Sequence, residues 1–345
     1  MKKWLLSMLA LLLLLPGCSP KAPNAEKFQT EFTDVFDTIT IVTAYCTNEA
    51  EFKKYVEVIH DEMRMLHHFF DIYNDYDGIN NIKTINDMAG VAPVECALEI
   101  IELINEGIEA YEESGGAVNI ALGSVLRLWH DARDAASRDP AGAAVPDMDA
   151  LLAAVPHTDI TKLVVDAEAS TVYLEDAEMS LDVGAFAKGW AVERAARAAQ
   201  EAGLKSGLIS AGGNVLVIGA PLDGRDAWGV AIQNPNGGEY YDVVAATDLA
   251  AVTSGDYERF FTVDGVNYHH IIDPETLFPA THFRSVTILH PDSGIADMLS
   301  TPLFVLPYEQ GAALAEKYSA EVLWIHRDGT FTATGGYLAR SSTLN

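Results

Sequence analysis

Leu208-Ile209-Ser210-Ala211-Gly212-Gly213-Asn214-Val215-Leu216-Val217-Ile218 is two short apolar runs joined by a pair of glycines. Leu208 to Ser210 and Val215 to Ile218 have strand composition. The Gly pair gives either a flat wall against which a ligand can lie or an ordinary β-turn. Reading towards the N-terminus, Lys188 to Ala202 predicts a helix stopped by Gly203. Before it, Leu163 to Asp166 and Thr171 to Leu174 predict a hairpin around Ala169-Ser170. Reading towards the C-terminus, strands are expected at Trp228 to Gln233, Val243 to Ala246, Ala250 to Thr253, Tyr268 to Ile272 and Ser285 to Leu289. Helices at Ile295 to Val305 and Glu309 to Tyr318 precede a last strand, Val322 to His326. Strands in runs with helices between them predict an α+β fold, mixed or antiparallel sheets flanked by helices, rather than a doubly wound parallel sheet.

The N-terminal half carries fewer strands. Phe32 to Ala44 alternates loosely and is rich in Thr, Val and Ile, which predicts strands. Glu49 to Tyr73 predicts a helix, because Phe52, Val56, Ile59, Met63, Leu66 and Phe70 recur three or four apart. Asn74 to Gly90 is a polar loop and Pro93 to Gly115 a second amphipathic helix. Val118 to Trp129 is a short apolar run, and Asp131 to Pro146, with two prolines, a surface excursion. Asp147 caps a short helix to Ala154. With no internal repeat and no clean linker after residue 30, residues 31–345 form one domain.

The formal net charge of -28 over 345 residues argues against nucleic acid as a partner, since phosphates are repelled. The same charge means that a polyanionic substrate needs local cations or a metal. About half the residues are apolar, enough for a large core. At the N-terminus Lys2 and Lys3 precede the apolar run Trp4 to Leu15, too short to span a bilayer comfortably. It ends in Leu15-Pro16-Gly17-Cys18, a match to the bacterial lipobox, although Pro16 is unusual there; a simple secretory signal with an incidental cysteine is the alternative. The expectation is a signal peptide over 1–17, lipid on Cys18, a polar tether over 18–30, and a place outside the cytoplasm on a bacterial membrane. Cys46 and Cys96 form no disulfide framework and have no metal-ligand spacing; they read as small buried residues, with a single bridge left open.

Four segments could carry chemistry. Asp182-Val183-Gly184-Ala185-Phe186-Ala187-Lys188-Gly189 runs from a strand end through small residues into a helix start, where unpaired N–H groups favour anions and Lys188 adds charge. A plain strand-to-helix turn explains the same residues. Ser210-Ala211-Gly212-Gly213-Asn214 is the turn already described. Thr253-Ser254-Gly255-Asp256-Tyr257 goes with His269-His270-Ile271-Ile272-Asp273-Pro274. Adjacent histidines on a strand face opposite ways, so at most one faces a site; a histidine can accept a proton from a hydroxyl nucleophile. Asp297 and Thr301 are four apart on a helix and share a face, an oxygen pair suited to a hard cation such as Mg²⁺, or an ordinary polar face.

Taken in order, these blocks resemble the FAD:protein FMN transferase (ApbE) family over nearly the whole mature chain. The strongest matches are Leu181 to Gly189, Ser210 to Asn214, Thr253 to Arg259, His270 to Pro274 and Ala296 to Thr301. The resemblance implies transfer of the FMN half of FAD to a Ser or Thr hydroxyl of an acceptor protein, with loss of AMP. It implies Mg²⁺ on the Ala185 carbonyl, the Asp297 carboxylate and the Thr301 hydroxyl, with Ser300 beside them. It implies flavin contacts from Phe36, Tyr73, the Asn119-Ile120-Ala121 loop, Asp182, Lys188 and Ile271, and His270 as the base. Acceptors would be membrane or secreted redox subunits with an exposed Ser or Thr.

The chain departs from the family pattern in places. Asp37 stands for a Gly, Asn119 for an Asp, Ala121 for a Thr and Ser124 for a Pro. Leu277 stands where the family has Gly after Asp-Pro-x-Thr, so a different turn is expected at Glu275 to Pro279. Two other readings share the residues: an FAD pyrophosphatase that gives FMN and AMP, and a lipoprotein that binds flavin without turning it over.

Overall fold

The computed structural model describes residues 25–344. The expected signal peptide and Cys18 lie outside the described residues. In chain order the elements are β1 (Glu26–Phe32), β2 (Thr40–Cys46), α1 (Glu49–Phe70), α2 (Ile82–Asp87), β3 (Val94–Glu95), α3 (Leu98–Glu113), α4 (Gly123–Arg138) and α5 (Met148–Ala154). They continue with β4 (Leu163–Asp166), β5 (Thr171–Leu174), α6 (Ala187–Glu201), β6 (Gly207–Ala211), β7 (Asn214–Ile218), β8 (Trp228–Ile232), β9 (Asp242–Ala246) and β10 (Leu249–Gly255). The last are β11 (Phe261–Val263), β12 (Val266–Tyr268), β13 (Phe283–His290), α7 (Ser293–Val305), α8 (Tyr308–Lys317), β14 (Glu321–His326), β15 (Phe331–Ala333) and α9 (Gly335–Leu338). Strand β1 begins within the 18–30 stretch assigned to the tether.

The α+β expectation holds. One sheet runs β1-β2-β6-β7-β10-β13-β14-β15, with every neighbouring pair antiparallel. Its strands alternate between two buried faces. On one, Val42, Ile209, Leu216, Val252, Ile288 and Trp324 pack against α1, α6, α7 and α8. On the other, Tyr45, Val217, Ala251, Leu289 and Ile325 pack against Trp228, Val230 and Ile232 of the β8-β9 hairpin and Tyr337 of α9. A second core gathers Ile100, Leu103 and Ile104 of α3 with Leu181, Val183 and Phe186 of the loop that enters α6. The site lies where these cores meet.

Local chemistry explains most ends. Asn48 caps α1 by accepting from Glu51 N–H at 3.0 Å, and Asp147 caps α5 through Ala150 N–H as expected. Gly203 takes φ +113 just past α6, backbone that a side chain resists. Cys46 and Cys96 are free and buried, which pushes their thiols up to about 11 and about 12.

Three expectations are corrected. Helix α4 takes the end of the short apolar run and the first half of the excursion: Val125, Trp129 and Ala136 form a buried stripe across that boundary, so its helical period is visible only when both segments are taken together. The polar loop holds α2, nucleated by a reciprocal cap between Asn81 and Thr84 and anchored by Ile82 and Ile85. Strand β12 stops at Tyr268; beyond it only Ile272 bridges, to Pro279.

The turn after Asp273 does not lose the glycine conformation. Leu277 takes φ +62, backbone that disfavours a Cβ. Its side chain is 4 % exposed and packs in the cluster of Trp129, Phe261 and Ile272, and its carbonyl accepts from Trp129 Nε1 at 2.9 Å. Burying a leucine stabilises by about 1.5–3 kcal/mol, which offsets the roughly 1–2 kcal/mol of left-handed strain. Asp37 likewise holds φ +48, a conformation that Asp tolerates better than most residues.

Candidate active site

The loop between Asp182 and Ala185 is held at both ends. Asp182 N–H donates to the Ile120 carbonyl at 2.8 Å, and Gly184 N–H donates to Asp182 Oδ1 at 2.9 Å. Helix α6 then starts without a side-chain cap of its own. Its first turn is satisfied from another helix: Gly189 N–H donates to Asp297 Oδ2 at 2.6 Å. Only glycine permits that approach, because a Cβ at residue 189 would collide with Asp297 Cβ and the Ser293 carbonyl. The small-residue loop and the face of α7 that bears Asp297 and Thr301, more than a hundred residues apart in sequence, are thereby clamped together.

They open on a cavity of about 930 Å³. Ala185, Lys188, Asp297, Ser300 and Thr301 line it together, as do His270, Ile271, Phe36, Tyr73, Asn119 and Asp182. Ile120 and Ala121 do not: their side chains are 1 % and 0 % exposed in the core beneath. Asn119 lines the cavity but spends its side chain on loop shape, accepting from Ala121 N–H at 2.9 Å and donating to the Thr158 carbonyl at 2.9 Å. The glycine turn joins β6 to β7 and borders the cavity. Ala211 and Asn214 pair across it, Gly212 and Gly213 take φ +47 and +88, and both line the cavity.

The donor set suits a hard cation. Asp297 is fully buried, and burial raises its pKa despite the opposing Lys188 charge and the Gly189 N–H. The Ser300 hydroxyl accepts from Ser254 Oγ at 3.0 Å. Among the described residues no three His, Cys, Asp or Glu side chains gather into a metal cage. A cation here therefore relies on one carboxylate, neutral oxygens, water and substrate phosphates, which is the coordination Mg²⁺ prefers.

The two histidines lie just past β12 and take different surroundings. His269 is buried; Ile271 N–H donates to its Nδ1 at 3.2 Å, and its Nε2 lies 3.0 Å from the Ala280 carbonyl. His270 faces the cavity, with Nδ1 sealed and unpartnered. Burial, then the positive charge of Arg259, pushes His270 down to about 3, so its imidazole is neutral at physiological pH.

His67, His130 and Arg133 are among the lining groups that sequence reasoning missed. His67 anchors Phe36: its Nδ1 accepts from Phe36 N–H at 3.4 Å and the rings meet edge-on at 5.5 Å. His130 and Arg133 come from α4, whose helical period is split between two dissimilar segments. His130 Nδ1 lies 3.1 Å from the Tyr73 hydroxyl and its Nε2 lies 4.0 Å from Asp182. Burial lowers the His130 pKa more than the Asp182 charge raises it. The signal that could have found them is the spacing of Val125, Trp129 and Ala136.

The chain is 39 % identical over 280 residues to a FAD:protein FMN transferase of Treponema pallidum, covering 76 % of this chain and 75 % of that one. A Vibrio cholerae protein of the same name is 28 % identical over 332 residues, 94 % of each chain. The crystal structure of an ApbE protein from Thermotoga maritima superposes with a TM-score of 0.81 at 27 % identity, covering 91 % of this chain and 99 % of that one. The flavin transferase ApbE from Vibrio cholerae gives 0.78 at 25 % identity, covering 92 % and 99 %. The ApbE family model matches residues 36–324, from the cavity residue Phe36 to the buried Trp324 of β14, and the chain belongs to the ApbE family.

Proposed function

We propose that this chain transfers the FMN half of FAD to a Ser or Thr hydroxyl of an acceptor protein, using Mg²⁺ and releasing AMP. The observation that carries the reading is convergence: Ala185, Lys188, His270, Asp297 and Thr301 line one cavity. The relatives named FAD:protein FMN transferase support it.

The acceptor oxygen would form a bond to the FMN-side phosphorus while the bond from that phosphorus to the AMP oxygen breaks. Asp297, Thr301 and the Ala185 carbonyl would hold Mg²⁺, which supplies stabilisation of the charge that builds on the pyrophosphate oxygens. Lys188 offers a fixed positive charge in a protein whose net charge is -28. His270 would take the hydroxyl proton; its depressed pKa keeps it unprotonated, and base assistance of this kind contributes about 10²- to 10⁴-fold. Phe36, Tyr73 and Ile271 provide apolar walls for the flavin rings.

The lipobox at Leu15 to Cys18 supports a location outside the cytoplasm, held to a bacterial membrane by lipid on Cys18. Acceptors there would be membrane or secreted redox subunits. Incubation with FAD and Mg²⁺, followed by chromatography of nucleotides, tests the activity. The reading predicts AMP release that requires an acceptor protein. Equal amounts of free FMN and AMP without acceptor would mean a pyrophosphatase, and bound FAD with no AMP a flavin store.

A further inference from the structure

Strand β8 has one partner strand among the described residues. It pairs with β9 in a two-stranded sheet, and no other named strand lies against it. The far edge of β9 is covered by the C-terminal segment: Ala245 N–H donates to the Arg340 carbonyl at 2.9 Å and Ser342 N–H to the Val243 carbonyl at 2.9 Å. Val243 and Ala245 thus aim their main-chain groups away from β8. The residues directly opposite them are Ala231 and Gly229. In an antiparallel ladder, opposed residues bond to each other or both turn away. Ala231 and Gly229 therefore present their N–H and C=O groups outward, on the open edge.

That edge faces the active site. Val230, Ala231, Ile232 and Gln233 all line the same cavity as Asp297 and His270. Val230 and Ile232 turn their side chains into the core and Gln233 lies just past the strand, so the cavity meets the C-terminal end of this edge, at the exposed Ala231. The edge is unprotected: Gly229 and Ala231 are exposed and small, and β8 has no lysine or proline.

We propose that β8 is the docking edge for the acceptor, whose hydroxyl-bearing segment adds as an extended strand and is delivered along that edge into the cavity. This rests on the transfer reading above, which requires a polypeptide to reach the FMN phosphorus. The spacing of outward groups two residues apart matches an extended polypeptide and has no counterpart in a dinucleotide. Main-chain hydrogen bonds along the edge supply affinity, and the side chains of the added segment supply specificity.

The test uses the unaltered enzyme. A synthetic peptide copied from the modified segment of an acceptor protein is compared with a series carrying one N-methyl group each. The expected result is a period of two: methylation at alternate positions raises KM on the order of tenfold, as for losing one or two hydrogen bonds, while the interleaved positions stay near the parent value. A parent peptide that is modified equally well whichever position is methylated overturns the docking edge alone. A parent peptide that is not modified while the intact acceptor protein is modified overturns the docking edge alone, and an intact acceptor that is not modified either, with no AMP released, overturns the transfer reading with it. Sedimentation of the enzyme covers the remaining occupant: a stable dimer whose transfer ignores methylation assigns the edge to a second copy and overturns the proposal.

Discussion

The Tyr73 hydroxyl lies 3.1 Å from Nδ1 of His130, and the other ring nitrogen of that histidine faces Asp182 at 4.0 Å. Tyr73, 57 % exposed at the cavity rim, is therefore held by a half-buried ring whose pKa is lowered. Removing this hydrogen bond by Tyr73→Phe or His130→Leu costs about 0.5–1.5 kcal/mol of ordering. FAD affinity, followed by flavin fluorescence, is expected to fall about two- to tenfold in each variant and no further in the double variant. Unchanged affinity in both would reduce the pair to a structural contact.

Asp297 is a buried carboxylate whose folded pKa is raised, so its charged form opposes folding above that pKa when no cation is bound. Asp297→Asn keeps an oxygen for the Gly189 N–H and removes the charge. The metal-free variant is expected to match or exceed the wild-type melting temperature at pH 8. The wild type should gain further stability with added Mg²⁺, and the variant should not. A variant that still responds to Mg²⁺ would move the metal elsewhere.

His270 is held near 3 against an ordinary value of about 6.5. A depressed base contributes stability that is complete above the unfolded pKa and is lost as pH falls towards the folded one. Wild-type stability should therefore decline between about pH 6.5 and 3 more steeply than that of His270→Gln. The pH profile of kcat/KM for FAD should show no acid limb near 6.5, and His270→Ala should slow transfer about 10²- to 10⁴-fold while FAD still binds. An acid limb near 6.5 that His270→Gln abolishes would contradict the depressed pKa.

Leu277 combines a left-handed backbone with a buried side chain. Leu277→Gly relieves roughly 1–2 kcal/mol of strain but loses about 2–5 kcal/mol of packing, so the lost packing outweighs the relief. The variant should be less stable by about 1–3 kcal/mol in denaturant unfolding. A gain in stability would show that the packing under Trp129 is weak.

Much of this fold is legible in sequence, because the period-two and period-3.6 patterns of β6, β7, α1, α6 and α7 are carried by their own residues. The glycine turn and the pairing of Asp297 with Thr301 are legible for the same reason. What escapes needs contacts between distant segments. Helix α4 hides its buried stripe across a change from apolar to polar composition, and His130 and Arg133 go with it. Leu277 reads as a changed turn because a local rule about positive φ is outweighed by burial against Trp129. Of the Asn119-Ile120-Ala121 loop only Asn119 lines the cavity, and its side chain is engaged within the loop and with Thr158.

Mass spectrometry of an acceptor domain co-expressed with this chain tests the central claim most directly. The account predicts one FMN on a single Ser or Thr with the wild-type chain, and none with Asp297→Ala. An unmodified acceptor beside an active, FAD-consuming wild-type chain, or full modification by Asp297→Ala, would contradict it.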